Sequence, residues 1–296
     1  MSMSGIKLHF LSYNTHLFQD TILEWGAGQE YHDSTRLNTI ITLLKDSTPD
    51  IVGLTEVWAN ASKDKFIDGL KSQLPYFAWD QNRNPLEVGS GLLLLSRFPL
   101  SNVSFIKYAN LKGWDKMSQK GFILANVEVS SQKLLIALTH TQAGDNSEEF
   151  KARMGNLNQL LNFLNTAIES ESESIPVILL GDLNIIGESE SGTRTQEYKI
   201  LCNQLRWYSI YDSYRHLNPS TTSDPGYTYD AVNNNLIARF APKDAEKKYR
   251  QRLDYIFVRG VTPTSISVPK NFTFQTSDGT MDLSDHYPLQ GEFLLE

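Results

Sequence analysis

Asn14, Glu56, His140, Asp182 with Asn184, Asp254, and Asp285 with His286 are the residues of this chain whose types and settings could do chemistry together. Most of them stand at the end of a short apolar run, where a sheet can present side chains into a shared cleft. Carboxylates and amides are oxygen donors, the ligands that Mg²⁺ prefers. An imidazole held by a carboxylate is a general base for water. Metal-assisted hydrolysis is the chemistry this set could perform.

The individual settings sharpen that reading. Glu56 closes Gly53-Leu54-Thr55-Glu56-Val57, directly after an apolar strand, and suits a hard cation. Asn14, in Ser12-Tyr13-Asn14-Thr15-His16, could add a neutral oxygen to the same metal. Gly181-Asp182-Leu183-Asn184 follows Val177-Ile178-Leu179-Leu180, and strand alternation would send Asp182 and Asn184 to one side. There the aspartate could orient water while the asparagine donates to a phosphate oxygen. In Ser284-Asp285-His286-Tyr287-Pro288 the adjacent acid cannot readily face the imidazole, so His286 needs a carboxylate from elsewhere. Asp254, in Arg252-Leu253-Asp254-Tyr255-Ile256, could reach it from a neighbouring strand. His140, in Leu138-Thr139-His140-Thr141-Gln142, could donate to a phosphate oxygen. Each residue alone is an ordinary turn or strand-end group, and the recurrence along the chain carries the argument. His9, His16, His32 and His216 lack a comparable context and read as structural histidines.

The elements that must position these groups are legible as periodicities. Alternating Ile6, Leu8 and Phe10 predict a strand ending near Asn14. Further strands are expected over Asp50–Glu56, Gly91–Arg97, Gly121–Val129, Lys133–Thr141, Val177–Leu183, Leu253–Arg259 and Tyr287–Leu295. Leu37, Ile40, Ile41 and Leu44 predict a helix capped by Asp33 or Ser34, and Phe66, Ile67, Leu70 and Leu74 mark another. The strongest helix starts near Ser147, with Asp145 and Glu148 as a capping box. Glu169–Ser174 reads as a solvated loop, and Leu217–Pro242 as long loops of the kind that often carry function. No repeat or separating linker is visible, so the chain reads as one large catalytic domain spanning 1–296, with two packed sheets covered by helices.

Composition excludes several classes. With 27 basic and 34 acidic residues the net charge is −7, which argues against a basic nucleic-acid footprint. It does not exclude a nuclease, because a bound metal can supply the positive charge. The lone Cys202 excludes an internal disulfide framework and a cysteine-rich zinc site. The sequence has no Gly-x-Ser-x-Gly elbow, P-loop or dinucleotide fingerprint. No apolar run approaches a membrane span, and no secretory signal is visible. The compartment is left open between the cytoplasm and secretion with the signal removed.

Read in order, these motifs resemble the endonuclease/exonuclease/phosphatase (deoxyribonuclease-I-like) superfamily from residue 6 to about 295. The resemblance implies an α/β fold, a four-layer α/β/β/α sandwich of two packed, mostly antiparallel sheets flanked by helices. Gln119-Lys120-Gly121-Phe122, Thr139-His140-Thr141-Gln142-Ala143 and Tyr227-Thr228-Tyr229-Asp230-Ala231-Val232-Asn233-Asn234 with Ile237-Ala238-Arg239-Phe240 are similar to segments of neutral sphingomyelinases of the phospholipase C type.

The resemblance implies Mg²⁺ as cofactor, one or two ions, with Mn²⁺ or Co²⁺ able to substitute. It places the metal on Glu56 with Asn14 and Asp285, and the base on His286 paired with Asp254. It assigns Asp182 and Asn184 to water and phosphate, His140 to a phosphate oxygen, and Lys120, Tyr229, Asp230 and Asn234 to substrate binding. Where the secreted bacterial enzymes carry an acidic residue before Gly-Gly, this chain has Gly89-Ser90-Gly91, with Glu87 the nearest carboxylate as a partner for His140. Ahead of the final Ser-Asp-His, Asn271–Leu283 offers only Phe272 and Phe274 where those enzymes have an aromatic-rich hairpin. The expectation is a monomeric Mg²⁺-dependent phosphodiesterase cleaving sphingomyelin to ceramide and phosphocholine, with a membrane surface and no stable nucleic-acid partner. The alternatives are a nuclease or a phosphoinositide phosphatase of the same superfamily, or an inactive binding module on the same fold.

Overall fold

The fold is that of a computed structural model, which describes residues 5–18, 32–81, 88–171 and 174–295. The strands follow in chain order as β1 (Ile6–Leu17), β2 (Ile51–Val57), β3 (Tyr76–Trp79), β4 (Leu93–Ser96), β5 (Leu100–Lys107), β6 (Gly121–Val129), β7 (Gln132–His140) and β8 (Val177–Asp182). They continue as β9 (Tyr211–Asp212), β10 (Tyr229–Asp230), β11 (Arg250–Gln251), β12 (Asp254–Arg259), β13 (Val261–Ser267), β14 (Thr273–Thr276), β15 (Gly279–Asp282) and β16 (Leu289–Leu295). One six-stranded sheet has the order β13-β16-β1-β2-β4-β3 and the other β5-β6-β7-β8-β12-β9, with β10–β11 and β14–β15 as small ribbons. Each large sheet contains a parallel pair, β1–β2 in one and β7–β8 in the other, among otherwise antiparallel neighbours.

Alternation decides the layers, because successive side chains of a strand face opposite sides of its sheet. Leu8, Phe10, Ile51 and Phe293 of the first sheet meet Ile136, Leu138, Ile178 and Ile256 of the second in the central core. Leu11, Val52 and Leu54 face the other way, onto Leu37, Ile40 and Leu44 of the helix Asp33–Ser47 and Phe66 and Leu70 of the helix Asn60–Leu70. Leu135, Leu179 and Phe257 back onto Leu157, Leu160 and Leu164 of the helix Ser147–Glu171 and Leu201 of the helix Gln196–Arg206. Helix, sheet, sheet and helix therefore stack as the expected four-layer α/β/β/α sandwich. Strands buried on both faces explain the near-continuous apolar runs at Leu92–Leu95 and Val177–Leu180.

Several local expectations shift. The long helix is capped by Asn146 rather than Asp145. Asn146 Oδ1 accepts from the backbone N–H groups of Glu148 and Glu149, and Glu149 Oε2 accepts in return from Asn146 N. The reciprocal box is there, one residue later than its spacing suggests. That helix runs to Glu171, so most of the described part of the expected Glu169–Ser174 loop is its last turn. Neither Asp33 nor Ser34 caps the helix Asp33–Ser47. His32 holds the cap position with φ 53°, and Asp33 instead accepts from Phe18 N and pairs with Arg36. The Phe272 and Phe274 rings at the β14–β15 ribbon are buried in the core. Among the described residues no helix is long and apolar enough to cross a membrane.

Candidate active site

Register puts the chemistry in two rows. In the second sheet His140 ends β7, Asp182 ends β8 and Asp254 begins β12, and the pairing sets His140 beside Asp182 and Asp182 beside Asp254. In the first sheet Asn14 pairs with Thr55, so Glu56 follows at the same edge. Asn14 joins the rows, since its Nδ2 donates to Glu56 Oε1 at 3.1 Å and to Asp182 Oδ2 at 2.9 Å.

The backbone here is strained. Glu56 (φ 58°), His16 (φ 48°) and Asn184 (φ 50°) all occupy the left-handed region, which side-chain-bearing residues visit at a cost of about 1–3 kcal/mol each. The register between β1 and β2 slips between Asn14 and Leu17, and this irregularity turns His16 inward. Gly181 (φ 133°) could not be replaced, because a Cβ there would lie 1.9 Å from Thr139 O.

Asp182 is the hub. Its Oδ2 lies 3.6 Å from His140 Nε2 and 4.0 Å from His286 Nε2, and its Oδ1 accepts from Asn184 N at 2.8 Å. Burial, and then the nearby Asp254 charge, push its carboxyl up to about 7. His286 Nδ1 lies 2.7 Å from Asp254 Oδ2, across 32 residues of sequence, as the reading of Ser284–Pro288 requires. Burial opposes the charged imidazole, but Asp254, Asp182 and Asp285 outweigh it and raise His286 to about 10. His140 is held well below its ordinary value by burial and by the Lys120 charge. Its Nδ1 is buried with no hydrogen-bond partner among the described residues, and Glu87, the carboxylate considered for it, lies outside them.

His16 belongs to this site, which corrects its reading as a structural histidine. Its Nδ1 lies 3.2 Å from Glu56 Oε2 and 3.3 Å from Asp285 Oδ2, between the two acids expected on the metal side. Burial works against its charged form, yet Asp285 and Glu56 raise it. Burial likewise opposes ionisation of Glu56, but His16, His140 and Lys120 overcome it and hold that carboxyl far below its usual range. Phe240, 4.0 Å away ring to ring, closes over His16. Arg36, fully buried, donates to the carbonyls of Thr15, His16 and Leu283 and so ties the Asn14–His16 bulge to the Ser284–His286 turn.

The remaining expected residues divide. Asn14 Oδ1 accepts from His16 N at 3.1 Å, and its Nδ2 donates to the carboxylates of Glu56 and Asp182. Asn184 lies beyond the end of β8, so an Asx turn rather than strand alternation places it, and its Nδ2 donates to Thr141 O. Lys120 Nζ is buried and donates to Asp115 and to Thr141 O. The Tyr229 ring lies 5.5 Å from the His286 ring, with its hydroxyl donated to Asp244. Asp230 and Asn234, expected at the substrate, spend their polar atoms on the protein. Arg250, Lys270 and Asn233 engage Asp230, while Asn234 caps Leu236 and Ile237 and donates to Ser284 O. The Tyr227–Phe240 stretch thus braces the turn that carries His286.

Glu56, His140 and Asp182 bring ligand atoms within 4.8 Å of one another, as do Asp182, Asp254 and His286. Asp254 Oδ1 is a buried carboxylate oxygen without a hydrogen-bond partner among the described residues. A carboxylate-rich, largely buried donor set suits a hard divalent cation better than a thiolate-seeking one.

Paired strand-end acids and imidazoles at the shared edge of two packed sheets define a phosphoester hydrolase of the sandwich type. The Endonuclease/Exonuclease/phosphatase family profile matches residues 11–286, and the chain belongs to that family. It is a metal-dependent phosphodiester hydrolase. It is 22% identical to sphingomyelinase C of Bacillus cereus over 320 residues, covering 95% of this chain and 87% of that one. The structure of sphingomyelinase C from Streptomyces griseocarneus superposes with a TM-score of 0.74 at 22% identity, covering 97% and 99%. A beta toxin variant from Staphylococcus aureus with bound magnesium ions gives 0.73 at 20% identity, covering 97% and 99%.

Proposed function

We propose that the chain hydrolyses sphingomyelin, or a closely related choline phospholipid, to phosphocholine and the lipid alcohol with Mg²⁺ as cofactor. The observation that carries the chemistry is Asp182, faced by two imidazole Nε2 atoms, one held by a carboxylate and the other not. The substrate rests on the sphingomyelinase C relatives and on the Tyr227–Phe240 stretch.

Glu56, Asp285 and Asp182 would hold the cation. Bound there, it would offset the acids, draw charge from the phosphate and favour the unprotonated form of His286. Asp254 fixes His286 Nδ1 as the protonated nitrogen, leaving Nε2 to take a proton from water as the water oxygen attacks phosphorus. Asp182, its carboxyl placed by Asn14 and by Asn184 N, orients that water. His140, neutral, donates Nε2–H to a phosphate oxygen whose charge grows in the transition state. The P–O bond to the lipid alcohol breaks in line with the attack. Asn14 keeps Glu56 and Asp182 at a fixed separation, and Lys120 opposes the charge of Glu56.

Matched incubations with sphingomyelin, phosphatidylcholine, phosphoinositide and plasmid DNA test this in Mg²⁺ and in EDTA. The expected result is Mg²⁺-dependent phosphocholine release, fastest from sphingomyelin. Plasmid nicking without phosphocholine release would assign the chain to nucleic acid.

A further inference from the structure

We infer that the short 3₁₀ turn Gly113–Met117 is a membrane-docking element that seats the protein on a bilayer of zwitterionic lipid. This rests on the phospholipid reading of the site, and it follows from side chains that the catalytic machinery does not use. Trp114 is 82% exposed and Met117 56%, two large apolar groups in one turn that find no cover among the described residues. Tryptophan favours the lipid–water boundary, where its ring is buried and its N–H stays wet.

The turn is tied to the site. Asp115, between the exposed pair, accepts from Lys120 Nζ at 3.0 Å and from Ala143 N at 2.8 Å. Lys120 also donates to Thr141 O, the residue after His140. Gln142 holds the approach from both sides, accepting from Lys112 N and donating to Lys112 O. A membrane gripped by Trp114 and Met117 is therefore coupled through polar contacts to the end of β7. The charge of the patch selects the surface. Asp115 is paired with Lys120, Lys112 lies 3.7 Å from Glu148, which also pairs with Lys151, and the exposed Lys116 of the turn has no ion pair among the described residues. With its charges mostly compensated, the patch suits a neutral headgroup layer better than an anionic one.

The molecule carries its own control. Trp207 is 87% exposed, but it sits at the other end of the second sheet. Its neighbour Tyr208 accepts from Arg259, which ends β12, whereas Asp254 begins that strand at the site. Five steps along a strand separate those ends by roughly 17 Å.

The test is cosedimentation with large vesicles of phosphatidylcholine and sphingomyelin in EDTA, so that turnover plays no part and binding can succeed or fail independently of the substrate assignment. Wild type and Trp207→Ser should bind equally, and binding should change little between low and high salt. Trp114→Ser with Met117→Ser should weaken partitioning about tenfold with an unchanged melting temperature, and Trp114→Phe should recover part of it. Equal binding by the double variant, equal loss in Trp207→Ser, or no binding by wild type would overturn the proposal. So would a concentration-dependent dimer abolished by Trp114→Ser, which would assign the patch to a second copy of the chain.

Discussion

His286 and His140 are both buried at the same edge of the sandwich, and both turn Nε2 toward Asp182 Oδ2, at 4.0 and 3.6 Å. They differ at the other nitrogen. Asp254 lies 2.7 Å from His286 Nδ1, whereas His140 Nδ1 has no partner among the described residues. Burial alone disfavours the charged form of either ring. At His286 the carboxylates reverse that preference, and at His140 the Lys120 charge reinforces it. In the proposed reaction one residue type thus serves as proton acceptor and as neutral donor around one aspartate, and the second nitrogen decides which.

The largest expected effect is on the acceptor. General-base catalysis contributes about 10²–10⁴-fold, so His286→Ala should lower kcat by that order on the preferred phospholipid. Asp254→Asn should also lower kcat steeply, and the double variant should be little worse than His286→Ala because the two act as a unit. Additive losses in the four-way kinetic comparison would dissolve the pair. Glu56→Gln keeps size and removes charge, so calorimetric Mg²⁺ titration should show much weaker binding by a folded protein. An unchanged isotherm would take Glu56 out of the metal site.

His140→Ala should cost less than His286→Ala and leave the acidic limb of the pH–rate profile in place. If that limb moved, His140 rather than His286 would be the titrating group. The smallest effect is expected from His16→Ala. Removing a ring between Glu56 and Asp285 should shift the Mg²⁺ midpoint by a few-fold, read by the same calorimetry, with kcat at saturating metal changed less.

Stability should follow His286 as well. Folding raises this imidazole from 6.5 to about 10, so in metal-free protein its contribution is complete below pH 6.5. It is lost as pH rises through about 10. Denaturant melts of wild type and Asp254→Asn across that window should converge at the alkaline end.

Most of the site was readable because chemistry follows apolar strands here. Glu56, His140 and Asp182 each end or follow a run whose burial is obvious from composition, and register does the rest. The Asp254–His286 pair followed from the poor reach of Asp285. His16 was hidden because its inward turn depends on a slipped register and a left-handed backbone, neither of which leaves a pattern in Ser12–Leu17. Its one sequence signal is that it stands two residues after Asn14. Asp230 and Asn234 bond within the protein and brace the turn that carries His286, and a bracing motif is as distinctive in sequence as one that touches substrate. The edge strands β3, β5 and β13 were missed where half-exposed residues dilute the periodicity, whereas the helix Gln196–Arg206, also missed, does carry a helical face in Tyr198, Leu201 and Leu205.

The asymmetry between the two rings is tested most directly by NMR titration of the imidazole nitrogens in metal-free protein, with His286→Ala and His140→Ala supplying the assignments. The His286 ring should stay protonated through neutral pH and release its proton near 10, and Asp254→Asn should bring that value down sharply. His140 should remain neutral across the same range. A His286 that titrates at or below 6.5 beside intact Asp254, or a His140 protonated at neutral pH, would contradict the account.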